Sequence, residues 1–154
     1  MTKIELLSII KDWGIDVTPR TIQNYAQAGL ITVKEKGGGA GIQTEYEDYA
    51  VIEFLIAYNL MNNNRFNMKI TPEEVAKAKE IFSYIFEHVA ELKNRNLVEK
   101  DSFLSERLNI KPKDCLVAQE YLSLYGEFIG DKKFSTIAKY LTQFYVKVRW
   151  EAEQ

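Results

Sequence analysis

The chain has 154 residues, of which 46% are hydrophobic and 27% charged, and its net charge is −2. This composition excludes disorder of the whole chain, and this length allows one ordinary hydrophobic core or two small ones. Its lone cysteine, Cys115, excludes an internal disulfide and fits a reducing compartment. No apolar run reaches the ~20 residues of a membrane-spanning helix and no secretory signal opens the chain, so we expect a cytoplasmic protein with no membrane association.

The first predicted element is a helix over residues 4–13, which ends at Gly14 because glycine commonly terminates helices. Its apolar residues recur at mostly helical spacing: Ile4, Leu6, Leu7, Ile10 and Trp13. A second helix is predicted over residues 18–28, because Thr18 is a good N-cap, Pro19 suits the first helical position, and Gly29 closes the pattern. Two short helices joined by a tight turn are typical of a helix-turn-helix.

Two short strands are predicted next, at residues 30–34 and 42–46, with the glycine-rich loop 36–41 between them. The loop fails both phosphate-binding glycine patterns and is interpreted as a flexible tip. Strand, loop and strand directly after a helix-turn-helix form a wing, which we assign to residues 33–45. A third helix is predicted over residues 46–61.

The asparagine-rich stretch 62–67 breaks that helix and marks the predicted domain boundary. We expect a DNA-binding domain at residues 1–63, a linker at 64–70 and a helical effector or oligomerisation domain at 71–154. Four helices are predicted in the last segment, at residues 71–92, 102–108, 112–128 and 132–150. The predicted fold class is therefore mainly α, with a winged helix-turn-helix and a short two-stranded wing followed by a C-terminal helical bundle.

The second helix has two faces at helical spacing. Ile22, Ala26 and Gly29 are expected to face the first helix, with Gly29 allowing a close approach. Arg20, Gln23, Asn24 and Gln27 are then exposed on the opposite face. Arginine pairs with guanine and asparagine or glutamine with adenine in the major groove, so this face predicts readout of double-stranded DNA.

At these residues the chain resembles the MerR family of bacterial regulators. The matching stretches are Val17-Thr-Pro-Arg-Thr-Ile-Gln-Asn-Tyr25, Gly29-Leu-Ile31, the glycine-containing wing, Tyr46-Glu-Asp48 and Ile70-Thr-Pro-Glu-Glu-Val75. The resemblance implies a sequence-specific transcriptional regulator that binds a palindromic operator as a homodimer. Gln23 and Asn24 stand where the family has an arginine and an aromatic residue. The predicted DNA-binding residues are Thr18, Arg20, Thr21, Gln23, Asn24, Tyr25, Gln27, Lys34, Lys36 and Gln43.

The charge of residues 1–64 leaves an alternative function open. Residues 1–64 carry five basic and eight acidic side chains, although the balance from residue 17 to residue 44 is positive. Because phosphate contacts supply most non-specific DNA affinity, a winged domain that has lost DNA binding and instead docks another protein remains the rival interpretation.

The second half carries no recognisable catalytic set, and neither His88 nor Cys115 has partners at metal-ligand spacing, so we expect neither an enzyme nor a cofactor nor a metal site. Three explanations account for the many aromatic residues of this half: core packing, a subunit interface, or a pocket for a small-molecule effector. The pocket explanation makes a small-molecule-binding protein a second alternative function. The candidate pocket residues are Tyr121, Tyr125, Phe128, Tyr140 and Phe144.

Overall fold

The computed structural model describes residues 1–37, 43–87 and 110–129, the last three residues of the middle range by their backbone alone. This part of the chain is mainly helical with a small two-stranded antiparallel sheet, in agreement with the predicted mainly α class. Its elements are α1 (Lys3–Asp12), α2 (Pro19–Gln27), β1 (Val33–Glu35), β2 (Glu45–Tyr46), α3 (Ala50–Asn62), α4 (Pro72–Glu87) and α5 (Pro112–Ile129).

The chain divides into two compact units, Met1–Glu73 and Glu74–Gln154. The helices predicted at residues 102–108 and 132–150 lie outside the described residues. None of the described helices is both long enough and apolar enough to cross a membrane.

Side-chain caps fix where the first two helices begin. The Thr2 hydroxyl accepts a hydrogen bond from the Glu5 amide at 3.2 Å, and the Glu5 carboxylate accepts one from the Thr2 amide at 3.3 Å, which is a capping box. The Thr18 hydroxyl accepts a hydrogen bond from the Thr21 amide at 3.3 Å, and Pro19 occupies the first turn of α2. The predicted start of α2 is confirmed.

Glycines end both helices, in the left-handed conformation that residues with a Cβ avoid. Gly14 has a φ of 83° and Gly29 a φ of 78°. After α2, the Leu30 amide donates to the Tyr25 carbonyl at 2.9 Å and the Gly29 amide to the Ala26 carbonyl at 3.1 Å, which is a Schellman motif. A Cβ built on Gly29 would meet nothing within 4 Å, so the prediction that Gly29 permits close approach to the first helix is wrong.

The core of the first unit lies where α1, α2 and α3 meet the sheet. It contains Leu6, Ile10, Val17, Ile22, Ile31, Tyr46, Ala50 and Phe54. The apolar pattern of α1 is only partly buried, because Ile4 and Trp13 are 76% and 57% exposed. Helical spacing alone therefore overstated the width of the buried stripe on α1.

The strands and α3 begin later than predicted. β1 starts at Val33 because Leu30 and Ile31 are buried in the bend that precedes it. Tyr46, which was predicted both to end the second strand and to start the third helix, belongs to β2 and pairs with Val33 across the sheet. The Tyr46 amide also donates to the Met1 carbonyl at 2.7 Å, so the N-terminal residues add a further pairing to β2 that keeps Tyr46 extended.

In the second unit, α4 buries Val75, Ala78 and Ile81, which lie at helical spacing along one face. The α5 helix buries its own apolar positions, Cys115, Val117, Ala118, Tyr121 and Leu122. The two helices contact each other through the Phe82 ring, whose centroid lies 5.3 Å from that of Tyr121 and 4.7 Å from that of Tyr125.

Candidate nucleic-acid interface

The α2 helix presents one continuous polar face to solvent. At 100° per residue, Arg20, Gln23, Asn24 and Gln27 fall within an arc of about 100°, nearly opposite the buried Ile22. All four side chains are exposed, as predicted. Within the described residues, none of the four makes a side-chain hydrogen bond or salt bridge to the protein. Their donors and acceptors are therefore available to a partner.

Tyr25 lies on the opposite side of this helix from that face. Its ring stacks on the Phe54 ring of α3, with a centroid distance of 4.4 Å and an interplanar angle of 22°. The Phe54 centroid lies 6.3 Å from the centroid of the Tyr58 ring. Burial, with a smaller contribution from Tyr58, raises the pKa of Tyr25 to about 12. The structure thus gives this predicted DNA-binding residue a position from which it holds α2 against α3.

Thr18 and Thr21 are engaged at the start of α2. Their hydroxyl oxygens lie 3.1 Å apart, and the Thr18 hydroxyl also accepts the Thr21 amide as the helix cap. Both side chains lie at the N-terminal end of the helix, where the positive end of the helix dipole favours an anion such as a phosphate.

An open groove of about 740 Å³ separates the polar face of α2 from the β1–β2 hairpin. The helix contributes Gln23 and Gln27 to it, while β1 and the residues just after it contribute Lys34 and Lys36, both exposed. The residues that line the groove are Lys3, Gln23, Ala26, Gln27, Val33, Lys34, Lys36, Gly37, Thr44 and Tyr46. Lys3 of α1 is thus a third lysine beside the groove, which sequence reasoning did not select. Gln43 is exposed but does not line the groove.

A buried carboxylate fixes the hairpin at its start. Glu53 of α3 is 7% exposed, and its two oxygens accept hydrogen bonds from the Thr32 amide at 2.7 Å and the Thr32 hydroxyl at 2.8 Å. At the far end, the Gly37 amide donates to the Thr44 hydroxyl at 3.2 Å. Sequence reasoning missed Glu53, although a single charge within the apolar run of residues 50–57 was a signal for it.

The charges near the groove are mixed along β1. Glu35 stands between Lys34 and Lys36, and it pairs across the sheet with Glu45. The register of this pairing is irregular between Val33 and Glu35, and Glu35 is exposed, as the two lysines are. In the described ranges, no salt bridge occupies Arg20 or either of the two hairpin lysines. The positive charge beside the groove therefore remains available to an anion.

The aromatic residues predicted to line an effector pocket are only partly described. Tyr121 is 1% exposed and packs against Phe82 as a core residue, whereas Tyr125 and Phe128 are half-buried. Tyr140 and Phe144 lie outside the described residues. No group of potential metal ligands is found among the residues for which placement is described.

The groove brings together two kinds of polar side chain. It combines amide groups, which both donate and accept hydrogen bonds, with cationic side chains. A comparison of the chain with protein-family models, curated proteins and solved structures found no match. The resemblance to MerR regulators therefore stays a prediction from the residues that carry it.

Proposed function

We propose that the first unit is a winged helix-turn-helix that binds double-stranded DNA, and that the protein is a sequence-specific transcriptional regulator of the cytoplasm. In this proposal α2 enters the major groove and the hairpin follows the flanking backbone, as in other helix-turn-helix proteins. The motif resemblance to the MerR family supports the same proposal.

One observation carries the proposal. Four exposed side chains of base-reading type, Arg20, Gln23, Asn24 and Gln27, share one arc of a short helix, and two of them border a groove edged by lysines. Side chains on the helix are suited to base edges, while lysines beside it are suited to phosphates. The two kinds of contact that DNA binding requires thus lie side by side.

The proposed oligomeric state rests on the small size of the DNA-binding domain. A single small DNA-binding module has a limited contact area and limited specificity. We therefore propose that the protein acts as a homodimer on a roughly palindromic operator, with the second unit providing the dimer contact or the effector response. Sedimentation at micromolar concentration tests this, because a monomer with and without operator DNA would contradict it.

Docking to another protein is the second candidate function. It is favoured by the excess of acidic over basic side chains in residues 1–64 and by Ile4 and Trp13, which are 76% and 57% exposed on α1. Large exposed apolar side chains are typical of protein interfaces rather than of DNA-binding surfaces.

Selection from a random duplex library with the full chain separates the two candidates. We expect enrichment of one defined motif, with binding lost in the Arg20→Ala variant and weakened as salt rises. Lys11→Ala is the control, since Lys11 is exposed on α1 and does not line the groove. A library that remains unenriched at low salt would contradict the regulator and favour the interaction module.

A further inference from the structure

We propose that α2 reads an adenine-rich half-site, with adenines at three of about four consecutive base pairs and a guanine at the remaining one. This inference rests on the proposed function and adds the class of DNA sequence that the helix selects. It follows from the side chains of the exposed arc, three of which, Gln23, Asn24 and Gln27, are amides.

The chemistry of the amide group points to adenine. In the major groove adenine offers an acceptor, N7, next to a donor, the N6 amino group. A carboxamide has the matching donor and acceptor, so Gln23, Asn24 and Gln27 can each make two hydrogen bonds to one adenine. Arg20 carries donors only, and its fork fits the two acceptors of guanine, N7 and O6.

The length of the arc sets the number of base pairs. Seven residues separate Arg20 from Gln27, which is about 10.5 Å along the helix at 1.5 Å per residue. Successive base pairs are about 3.4 Å apart, so the arc covers about three steps, or four base pairs. Four reading side chains over four base pairs allow one side chain for each pair.

The structure leaves these amides free for that role. In the described residues the side chains of Gln23, Asn24 and Gln27 have no hydrogen-bonding partner within the protein. The position of α2 is held by other residues, chiefly Ile22 in the core and Tyr25 stacked on Phe54. Reading the bases therefore requires no rearrangement of the interactions that hold the helix.

The test combines selection with altered bases and an altered side chain. From a random duplex library, the full chain is expected to enrich a motif with three adenines and one guanine in about four positions. Replacing one contacted adenine by 7-deazaadenine removes the N7 acceptor and should weaken binding about tenfold. Gln23→Arg should change the preference at one position from adenine to guanine. Gln119→Ala, an amide truncation in the second unit, should leave the motif unchanged.

The outcomes distinguish this inference from the proposed function. A defined motif rich in G·C pairs, or an adenine-rich motif insensitive to both 7-deazaadenine and Gln23→Arg, would overturn the adenine assignment while leaving DNA binding intact. A library without any enrichment would overturn the proposed function and this inference together. Retention of the wild-type melting temperature by Gln23→Arg excludes misfolding as the cause of a changed preference.

Discussion

Glu53 carries the single charge of α3, and it is placed where a charge is costly unless it is hydrogen-bonded. Both of its oxygens are occupied by Thr32, which joins the beginning of the hairpin to α3. Hydrogen bonds to a charged group contribute about 1.5–3 kcal/mol each. We predict that Glu53→Ala lowers the free energy of unfolding by about 3 kcal/mol, as measured by urea denaturation.

Two variants refine this prediction. Glu53→Gln retains one oxygen for the Thr32 amide and is expected to lose only about 1 kcal/mol. Glu73→Ala removes a carboxylate of the same type from an exposed position and should change stability by less than about 0.5 kcal/mol. Equal losses for Glu53→Ala and Glu73→Ala would contradict the anchoring role of Glu53.

Tyr25 makes stability depend on pH in the alkaline range. Burial raises its pKa to about 12, whereas the pKa of an unfolded tyrosine is about 10. Above the unfolded value the unfolded chain loses a proton that the folded chain keeps, so stability falls as pH rises between the two values. We predict a falling free energy of unfolding over this range, and a shallower fall in Tyr25→Phe, which keeps the ring stacked on Phe54.

Tyr46 and Tyr49 contribute to the same fall, because burial raises the pKa of each. Tyr25→Phe should therefore reduce the pH dependence without abolishing it. Urea denaturation from pH 8 to the onset of alkaline unfolding measures the difference between the variant and the wild type. An unchanged slope in Tyr25→Phe would show that its hydroxyl is not shielded from water.

At the scale of the element, the end of α2 depends on the left-handed backbone conformation of Gly29. Gly29 has a φ of 78°, and a Cβ there would meet nothing within 4 Å. We predict that Gly29→Ala costs about 1–2 kcal/mol, the penalty for a left-handed residue with a Cβ, and that Gly29→Asn costs less. Thermal denaturation of both variants measures this.

Gly14 supplies a matched comparison for that prediction. It ends α1 with a φ of 83° and is equally free of neighbouring atoms around a Cβ. Gly14→Ala should therefore cost about as much as Gly29→Ala. A much larger loss at Gly29 would restore the interpretation that its missing side chain permits close packing of α2.

Elements whose limits are set by neighbouring residues could be predicted from the sequence, and those set by distant residues could not. The start of α2 at Thr18 and Pro19 was predicted because a cap and a first-turn proline act within four residues. The start of the third helix at Tyr46 was wrong, although the predicted second strand does end at this residue; the pairing of Tyr46 with Met1 joins residues far apart in the sequence. β1 begins late for a similar reason, because the burial of Leu30 and Ile31 before it and the hydrogen bonds of Thr32 to Glu53 both depend on other elements.

The residues of the candidate interface also divide into those that could be predicted from the sequence and those that could not. The exposed arc of α2 was predictable because helical periodicity sorts Arg20 and Gln23 from Ile22 within a single helix. Lys3 was not predictable as a neighbour of the groove, because its place there follows from the packing of α1 beside the hairpin. The inward role of Tyr25 likewise depends on a partner in another helix, Phe54.

For the whole molecule, the three lysines that line the groove in the described part of the chain set how strongly DNA binding is expected to depend on salt. Lys3, Lys34 and Lys36 line the groove where a phosphate backbone would pass. Each neutralised phosphate contributes about −0.9 to the slope of log affinity against log salt, so we predict a slope of about −3 per bound copy. Binding isotherms on the selected operator at several salt concentrations measure it.

Single substitutions show which lysines contribute to the salt dependence of binding. Lys34→Ala should make the slope shallower by about 0.9 and leave the sequence preference unchanged, because a phosphate contact carries no base information. Lys11→Ala, which removes an exposed lysine away from the groove, should leave the slope as it is. A change in the preferred motif on loss of Lys34 would instead assign that lysine to a base.

Among the described residues, no intramolecular bond reaches the side chains of the polar arc of α2, so the stability of the helix does not depend on the side chains proposed to recognise DNA. Substitutions at Gln23, Asn24 or Gln27 disturb neither the caps of the helix nor its buried side, so the fold tolerates exchange at these positions. Under the proposed function, descendants of this chain can acquire new operators through point changes without first gaining stability. The same tolerance makes α2 a suitable place to engineer variants directed to chosen DNA sequences.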